Sequence, residues 1–109
     1  MPASRREKIE ALLKDEPDDV FLRYSLALEF EAEGRWEEAI EILEALARGT
    51  PPYVPAFHMA GRHLVARGKI DDARRALREG IEAARAQGQS HAAGEMSELL
   101  MSLGELGEG

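Results

Sequence analysis

The sequence contains no cysteine, which removes disulfides, thiolate metal sites and thiol nucleophiles from consideration. No apolar run approaches the roughly 18 residues needed to cross a bilayer as a helix. Alternation of apolar and polar residues with period two is also missing, so no strands are expected. Cations are in short supply. Fourteen Lys and Arg face 21 Asp and Glu, for a formal net charge of −7, which argues against nucleic acid as a ligand, because phosphate backbones demand clustered positive charge. Met1 to Lys14 alternates charges and lacks the apolar stretch of a signal peptide, so the expected location is the cytoplasm and no membrane partner is expected.

What is present favours one soluble helical domain. The 109 residues amount to about one domain by the usual prior of roughly 100–200 residues. Apolar residues at 44% and charged residues at 32% suit a foldable chain instead of a disordered one. Alanine, leucine, glutamate and arginine dominate, and all are strong helix formers. Charge is uneven along the chain. Residues 15–47 hold eleven acids and two bases, whereas residues 48–87 hold eight bases and four acids. Solvated helix faces account for such an imbalance. A dipolar molecule pairing head to tail, as a homo-oligomer, is the sharper alternative.

Proline and glycine punctuate the chain at regular intervals. Pro17 and Pro51 are 34 residues apart, as are Gly34 and Gly68. Trp36, Ala39, Ile40, Leu43, Leu46 and Ala47 recur at spacings of three and four, which puts them on one helix face. Ile70, Ala73, Leu77, Ile81 and Ala84 repeat that face one period later. The boundaries have local chemistry. Ser4 with Glu7 forms a candidate capping box, and Asp18 or Asp19 can cap the next helix. Gly34 and Gly68 supply left-handed residues that end helices, and Pro55 suits a first turn. These signals predict six helices, at residues 4–15, 19–33, 36–48, 54–67, 70–87 and 90–103, with a frayed glycine-rich tail at 104–109.

Aligning residues 20–53 on 54–87 pairs Val20 with Val54, Ala32 with Ala66, Gly34 with Gly68, Ala39 with Ala73 and Leu43 with Leu77. Conservative pairs fall between them: Ala27 with Gly61, Phe30 with Leu64 and Trp36 with Ile70. Small residues recur where helices cross closely and large apolar ones where the crossing must be filled. With its 34-residue period and a helix–turn–helix in each unit, the chain resembles the tetratricopeptide repeat family. The family's apolar, small and aromatic slots match Phe57, Ala60, Gly61 and Leu64 in the second unit, and Leu26, Ala27 and Phe30 in the first. Arg23 stands where the first unit's large apolar residue belongs, and Arg85 replaces the closing proline of the second, so the last helix of that unit is expected to run on.

The resemblance implies an all-α fold, a short right-handed superhelix of stacked antiparallel helix pairs. Its divisions would be a half repeat at 4–17, repeats at 20–53 and 54–87, and a closing helix at 90–103, in one domain over 1–109. Ile9, Leu12, Leu13 and Pro17 echo Leu43, Leu46, Ala47 and Pro51, which marks the half repeat. Ala92, Ala93, Met96, Leu99, Leu100 and Leu103 form the apolar stripe of the closing helix. Glu95 stands where a small interhelical residue would be, the sign of a solvated end, and such polar caps make the chain look self-contained.

Catalytic chemistry finds no constellation. No two of His58, His63 and His91 lie at the i, i+4 spacing of a helical metal site, and plain exposed or half-buried histidines are expected. Asp18–Asp19, Glu37–Glu38 and Asp71–Asp72 sit at helix starts, where the helix dipole accounts for them. Neither a cofactor, a metal nor an enzymatic activity is expected. The resemblance implies a protein-interaction scaffold or adaptor whose concave face takes a peptide or helix of another protein. Carried onto this sequence, the groove slots are Phe21, Tyr24 and Leu28, then His58, Arg62 and Val65, then Ala92, Met96 and Leu99 on the closing helix. A carboxylate clamp of the kind that reads acidic chaperone tails is not expected. Tyr24 and Leu28 replace its polar residues, asparagine is absent, and only Arg62 remains. Trp36 is expected in the core, paired with Ile70 across the repeat. Gly80 is expected to mark either a close approach of the closing helix or a flexible point, since glycine inside a helix costs about 1 kcal/mol against alanine.

Overall fold

The computed structural model describes residues 3–107. Six α-helices and no strand occur among them: α1 (Arg5–Asp15), α2 (Val20–Ala32), α3 (Trp36–Ala47), α4 (Val54–Ala66), α5 (Ile70–Ala86) and α6 (Ser90–Gly107). Each helix packs chiefly on its sequence neighbours, giving an elongated stack of 49 × 30 × 19 Å. This is a helical-repeat superhelix.

The helix starts follow the capping chemistry in the sequence. The Glu7 backbone N–H donates to Ser4 Oγ at 3.1 Å, and the Ser4 N–H donates back to Glu7 Oε1 at 3.2 Å. Those hydrogen bonds hold the Glu7 carboxyl below its ordinary pKa. Asp19 caps α2, its Oδ1 accepting from the Leu22 N–H at 2.9 Å. Three helices end in the same turn. Gly34, Gly68 and Gly88 adopt φ values of +74°, +75° and +72°, and the residue after each donates its N–H 2.8 Å to the carbonyl of Phe30, Leu64 or Ala84. This is the Schellman closure, in which glycine takes the left-handed position that a Cβ disfavours. Gly34 and Gly68 were anticipated from sequence. Gly88 is the third of the set, and it reuses between α5 and α6 the turn found inside each repeat.

The apolar interior divides into two clusters with α4 between them. Ala27, Leu43, Leu46, Ala56 and Ala60 fill the space among α2, α3 and α4. Val54 and Phe57 of α4 join Ala73, Leu77, Ile81, Ala84, Ala93, Met96 and Leu103 among α4, α5 and α6. Close crossing is what lets these clusters close. A Cβ on Gly61 would lie 2.6 Å from Leu77 Cδ2, so Leu77 is seated against bare backbone. At Gly80 an added Cβ would meet Phe57 Cβ at 2.5 Å and Met96 Sδ at 2.6 Å. The close approach of the closing helix is therefore the reason for this glycine.

Helix α6 opens at Ser90, where the sequence signals put it, two residues later than a strict 34-residue interval from Val20 and Val54 would set it, so the slots carried over at that interval do not hold. Ala93, Met96, Ser97 and Leu100 consequently take the slots of Phe57, Ala60, Gly61 and Leu64, while Glu95 points to solvent. The two extra residues extend α5, which runs on to Ala86 as anticipated where Arg85 replaces proline. The tail expected to fray from Gly104 is helical through Gly107, and Glu108 and Gly109 lie outside the described residues.

Helix α1 is attached differently. It buries no residue, and Leu12 stays 54% exposed. Its hold on α2 is polar: Arg6 Nε donates to Glu33 Oε2 at 2.7 Å, and Arg5 lies 3.6 Å from Glu29. The Arg6 and Arg35 guanidiniums both lie over the Phe30 ring, at 5.7 and 4.7 Å from its centroid.

Gly80→Ala should destabilise the fold although it improves helix propensity by about 1 kcal/mol. The opposing term is larger, since overpacking a closed core costs about 1–3 kcal/mol. Phe57 Cβ cannot swing aside, so a net loss is expected in urea unfolding. A gain in stability would mean that α4, α5 and α6 do not meet at this point.

Candidate functional site

The groove slots on α2 and α4 occupy one turn after another, as helical spacing requires. On α2, Phe21 is 65% exposed, while Tyr24 and Leu28 are half-buried. On α4, Arg62 is exposed, and His58 and Val65 are half-buried. The structure brings part of this set together. The Tyr24 ring packs edge-on against Tyr53, with centroids 5.5 Å apart at 62°. Burial pushes the Tyr24 phenol above its ordinary pKa; Tyr53 and Glu31 add to the shift, and the Arg62 charge opposes it. Tyr24 on α2 thus feels the charge of Arg62 on α4 and of Glu31 on its own helix. Phe21 lies three residues before Tyr24 on the same face of α2 and is exposed.

The closing-helix slots behave otherwise. Met96 has no exposed surface, because the two-residue shift of α6 turns it into the core against Gly80. It is unavailable to a partner in this state, which corrects the sequence-based assignment. Ala92 and Leu99 rest against the same cluster, as does Val65 from α4. The accessible slots are therefore Phe21, Tyr24, Leu28, His58 and Arg62, with Val65 partly covered.

His63 was expected to be an ordinary exposed or half-buried histidine, and it is instead 4% exposed. Its ring lies against Trp36, with centroids 4.1 Å apart and planes tilted by 37°. Nδ1 has no hydrogen-bond partner among the described residues. Burial pushes the imidazole below its ordinary pKa; Glu31 opposes and Arg67 reinforces the shift. Trp36 is half-buried and serves as the wall of this contact, so its core role is shared with an imidazole. The pairing of Trp36 with Ile70 by repeat position gave no hint of it, because the contact crosses from α3 to α4.

Sequence reasoning also missed a cleft of about 430 Å³ among α3, α4 and α5. Leu43, Phe57 and His63 form part of its apolar wall, and Arg48, Arg67 and Lys69 are among the charged residues lining it. No group of three or more His, Asp or Glu among the described residues could hold a metal ion. No helix among them is long and apolar enough to cross a membrane.

Helix pairs joined by glycine turns, small residues under leucines and a period of 34 define an α-helical repeat protein. The tetratricopeptide repeat family profile matches residues 30–93, and the chain belongs to that family. Two solved structures are similar across most of the chain. One is the solution structure of a tetratricopeptide repeat domain protein from Salinibacter ruber, 29% identical, with a TM-score of 0.75 over 80% of this chain and 88% of that one. The other is the solution structure of a protein from Bordetella parapertussis, 26% identical, with a TM-score of 0.79 over 95% of this chain and 90% of that one. No curated protein matches the sequence. Membership suggests a protein-protein interaction module, on a fold that is generally a non-catalytic scaffold.

The depressed His63 pKa fixes the sign of one pH effect. In the unfolded chain the imidazole takes a proton near its ordinary value of about 6.5, while the folded state resists protonation to lower pH. Stability contributed by the neutral ring is fully present above about pH 6.5 and is lost as pH falls from there through the folded value. Urea unfolding across pH 7.5 to 5 should show wild type losing stability on acidification by at most about 1.4 kcal/mol per pH unit from this group. His63→Phe should show a flatter dependence over the same range. Equal slopes for the two proteins would mean that the ring is not excluded from water.

Proposed function

We propose that this protein is a scaffold or adaptor that binds a peptide or helix of a partner protein along the surface formed by α2 and α4. The observation that carries this reading is the patch around Tyr24. Phe21, one turn before Tyr24 on α2, is 65% exposed, and Arg62 on α4 is exposed with no ion-pair partner among the described residues. Aromatic and arginine side chains contribute disproportionately to interface energies, because they bring large area or several hydrogen bonds for few frozen torsions. In the family's arrangement this face is the concave one. Leu28 and His58 extend it, and Val65 borders it where α4 meets the second core cluster. Met96 is excluded, so the working surface is shorter than three helices.

Assembly with copies of itself is the second reading. Exposed Leu12 on α1 and Met101 on α6, at 54% and 77%, favour it, because both lie on the terminal helices of the stack.

The first reading is tested by site-specific photocrosslinking in cell extract, with the crosslinker at Phe21 or, as a control, at Glu41 on α3. Discrete partner adducts are expected from position 21 and not from position 41. Tyr24→Ala/Arg62→Ala should abolish them, since loss of two anchors typically costs more than about 2 kcal/mol, or over about 30-fold in affinity. Adducts that persist in the double variant would place the partner elsewhere.

A further inference from the structure

Helix α4 meets the α2–α3 pair across small side chains. Ala56 and Ala60 pack with Ala27, Leu43 and Leu46. Three of these five residues are alanine, which carries little apolar area to bury. An aromatic pair braces each end of this joint between the repeats. Tyr53, the N-cap of α4, meets the Tyr24 ring edge-on. Roughly 15 Å further along α4, by the helical rise, His63 lies against Trp36, the first residue of α3.

Of the two braces, the histidine one is built from a side chain that changes charge near neutral pH. The His63 ring is 4% exposed, and its Nδ1 has no hydrogen-bond partner among the described residues. A protonated imidazole carries an N–H on both nitrogens, so Nδ1 becomes a donor with nothing to receive it, and a charge is shielded from water. Charged groups face the ring from each element packed on it. Glu31 comes from α2, and Arg67 from the next turn of α4. Around the cleft that His63 lines stand Glu44 and Arg48 of α3, Lys69 of the following turn, and Asp72, Arg75 and Glu79 of α5. These four carboxylates and four cations offset one another, which leaves burial to decide. The Trp36 face attracts an imidazolium and offsets part of the burial cost, but it supplies no acceptor.

We propose that the α3–α4 joint is a proton-operated hinge: a proton on His63 parts its ring from Trp36, and α1–α3 swings against α4–α6 about the Tyr24–Tyr53 end. The neutral ring keeps the joint closed above about pH 6.5, where an imidazole in water takes its proton. Between that pH and the lower value of the buried ring, each unit of acidification raises the ratio of open to closed molecules by up to about tenfold. Both halves outlast the opening. The buried residues of the larger apolar cluster all belong to α4, α5 and α6, and Ala27 keeps Leu43 and Leu46 in the other half. Tyr24 and Arg62 stand on opposite sides of the hinge, so its opening changes the span of the surface proposed to bind a partner. That consequence alone rests on the partner-binding reading.

Pulsed-EPR distances between spin labels at Glu41→Cys on α3 and Glu82→Cys on α5 test the hinge. Both positions are exposed, and the chain has no cysteine of its own. A single distance is expected at pH 7.5. Toward pH 5.5 a second population should grow, its weight following the titration of the His63 imidazole in NMR. Trp36 is the sole tryptophan, and its emission should move to the red over the same range as the indole meets water. Amide exchange should quicken at the start of α3 and the end of α4 and stay slow in α5 and α6, with the helical circular dichroism signal retained. His63→Phe, and His63→Gln as a second replacement without a titrating ring, should give distances and emission that do not respond to pH. A ring that titrates while distance and emission stay fixed overturns the proposal. So do a loss of exchange protection in all six helices together and a wild-type pH response in both variants. No partner enters these measurements, so adducts that persist in Tyr24→Ala/Arg62→Ala would sink the partner-binding reading and leave the hinge result as measured.

Discussion

The stack depends on a close crossing in which a leucine of one helix sits on a residue with little or no side chain. Leu77 over Gly61 is the clearest instance, and Leu43 beside Ala27 is its counterpart one unit earlier. Fully burying a leucine contributes about 1.5–3 kcal/mol, and a methyl group intruding on the crossing would force the backbones apart. Gly80 extends the same device to the next interface, where Phe57 and Met96 converge on it. Because these contacts set how near the helices approach, they also set where the side chains of α2 and α4 stand. The patch around Tyr24 is a consequence of packing that lies beneath it.

Stability is graded along the stack. The α4–α5–α6 end has the larger apolar cluster and the short glycine turn at Gly88. The α1 end is held by exposed ion pairs and by guanidiniums over Phe30, with no buried residue of its own. Exposed ion pairs contribute about 0–1 kcal/mol each and weaken with salt, whereas apolar burial does not. The patch around Tyr24, on α2 and α4, lies nearer the weaker end.

Much of the architecture was legible in the sequence, and the residues that carried it are local ones. Ser4, Glu7, Asp19, Gly34 and Gly68 act within a few residues of themselves, so their capping and turn roles can be read without knowing any neighbour. The candidate site was less legible. Tyr24 is half-buried on α2 and Arg62 exposed on α4, whereas Met96 is buried in the core. Its position depends on the two residues by which α6 is delayed, whereas the groove slots are carried over at a strict 34-residue interval. His63 shows the same limit. Its burial against Trp36 is a contact between helices, and the even spacing of apolar residues along α4 carries no trace of it.

The sequence by itself determined the six helices, their repeat of 34, the family they belong to and the small residues that permit close crossing. Backbone hydrogen bonding, capping and helical periodicity act over a turn or two, and that range is written directly in residue order. Only the tertiary structure decided which face of α6 turns inward, that Gly80 receives Met96 and Phe57, and that His63 is buried against Trp36. Those facts follow from how long helices pack after they form, and packing responds to the combined shape of residues that the sequence keeps far apart.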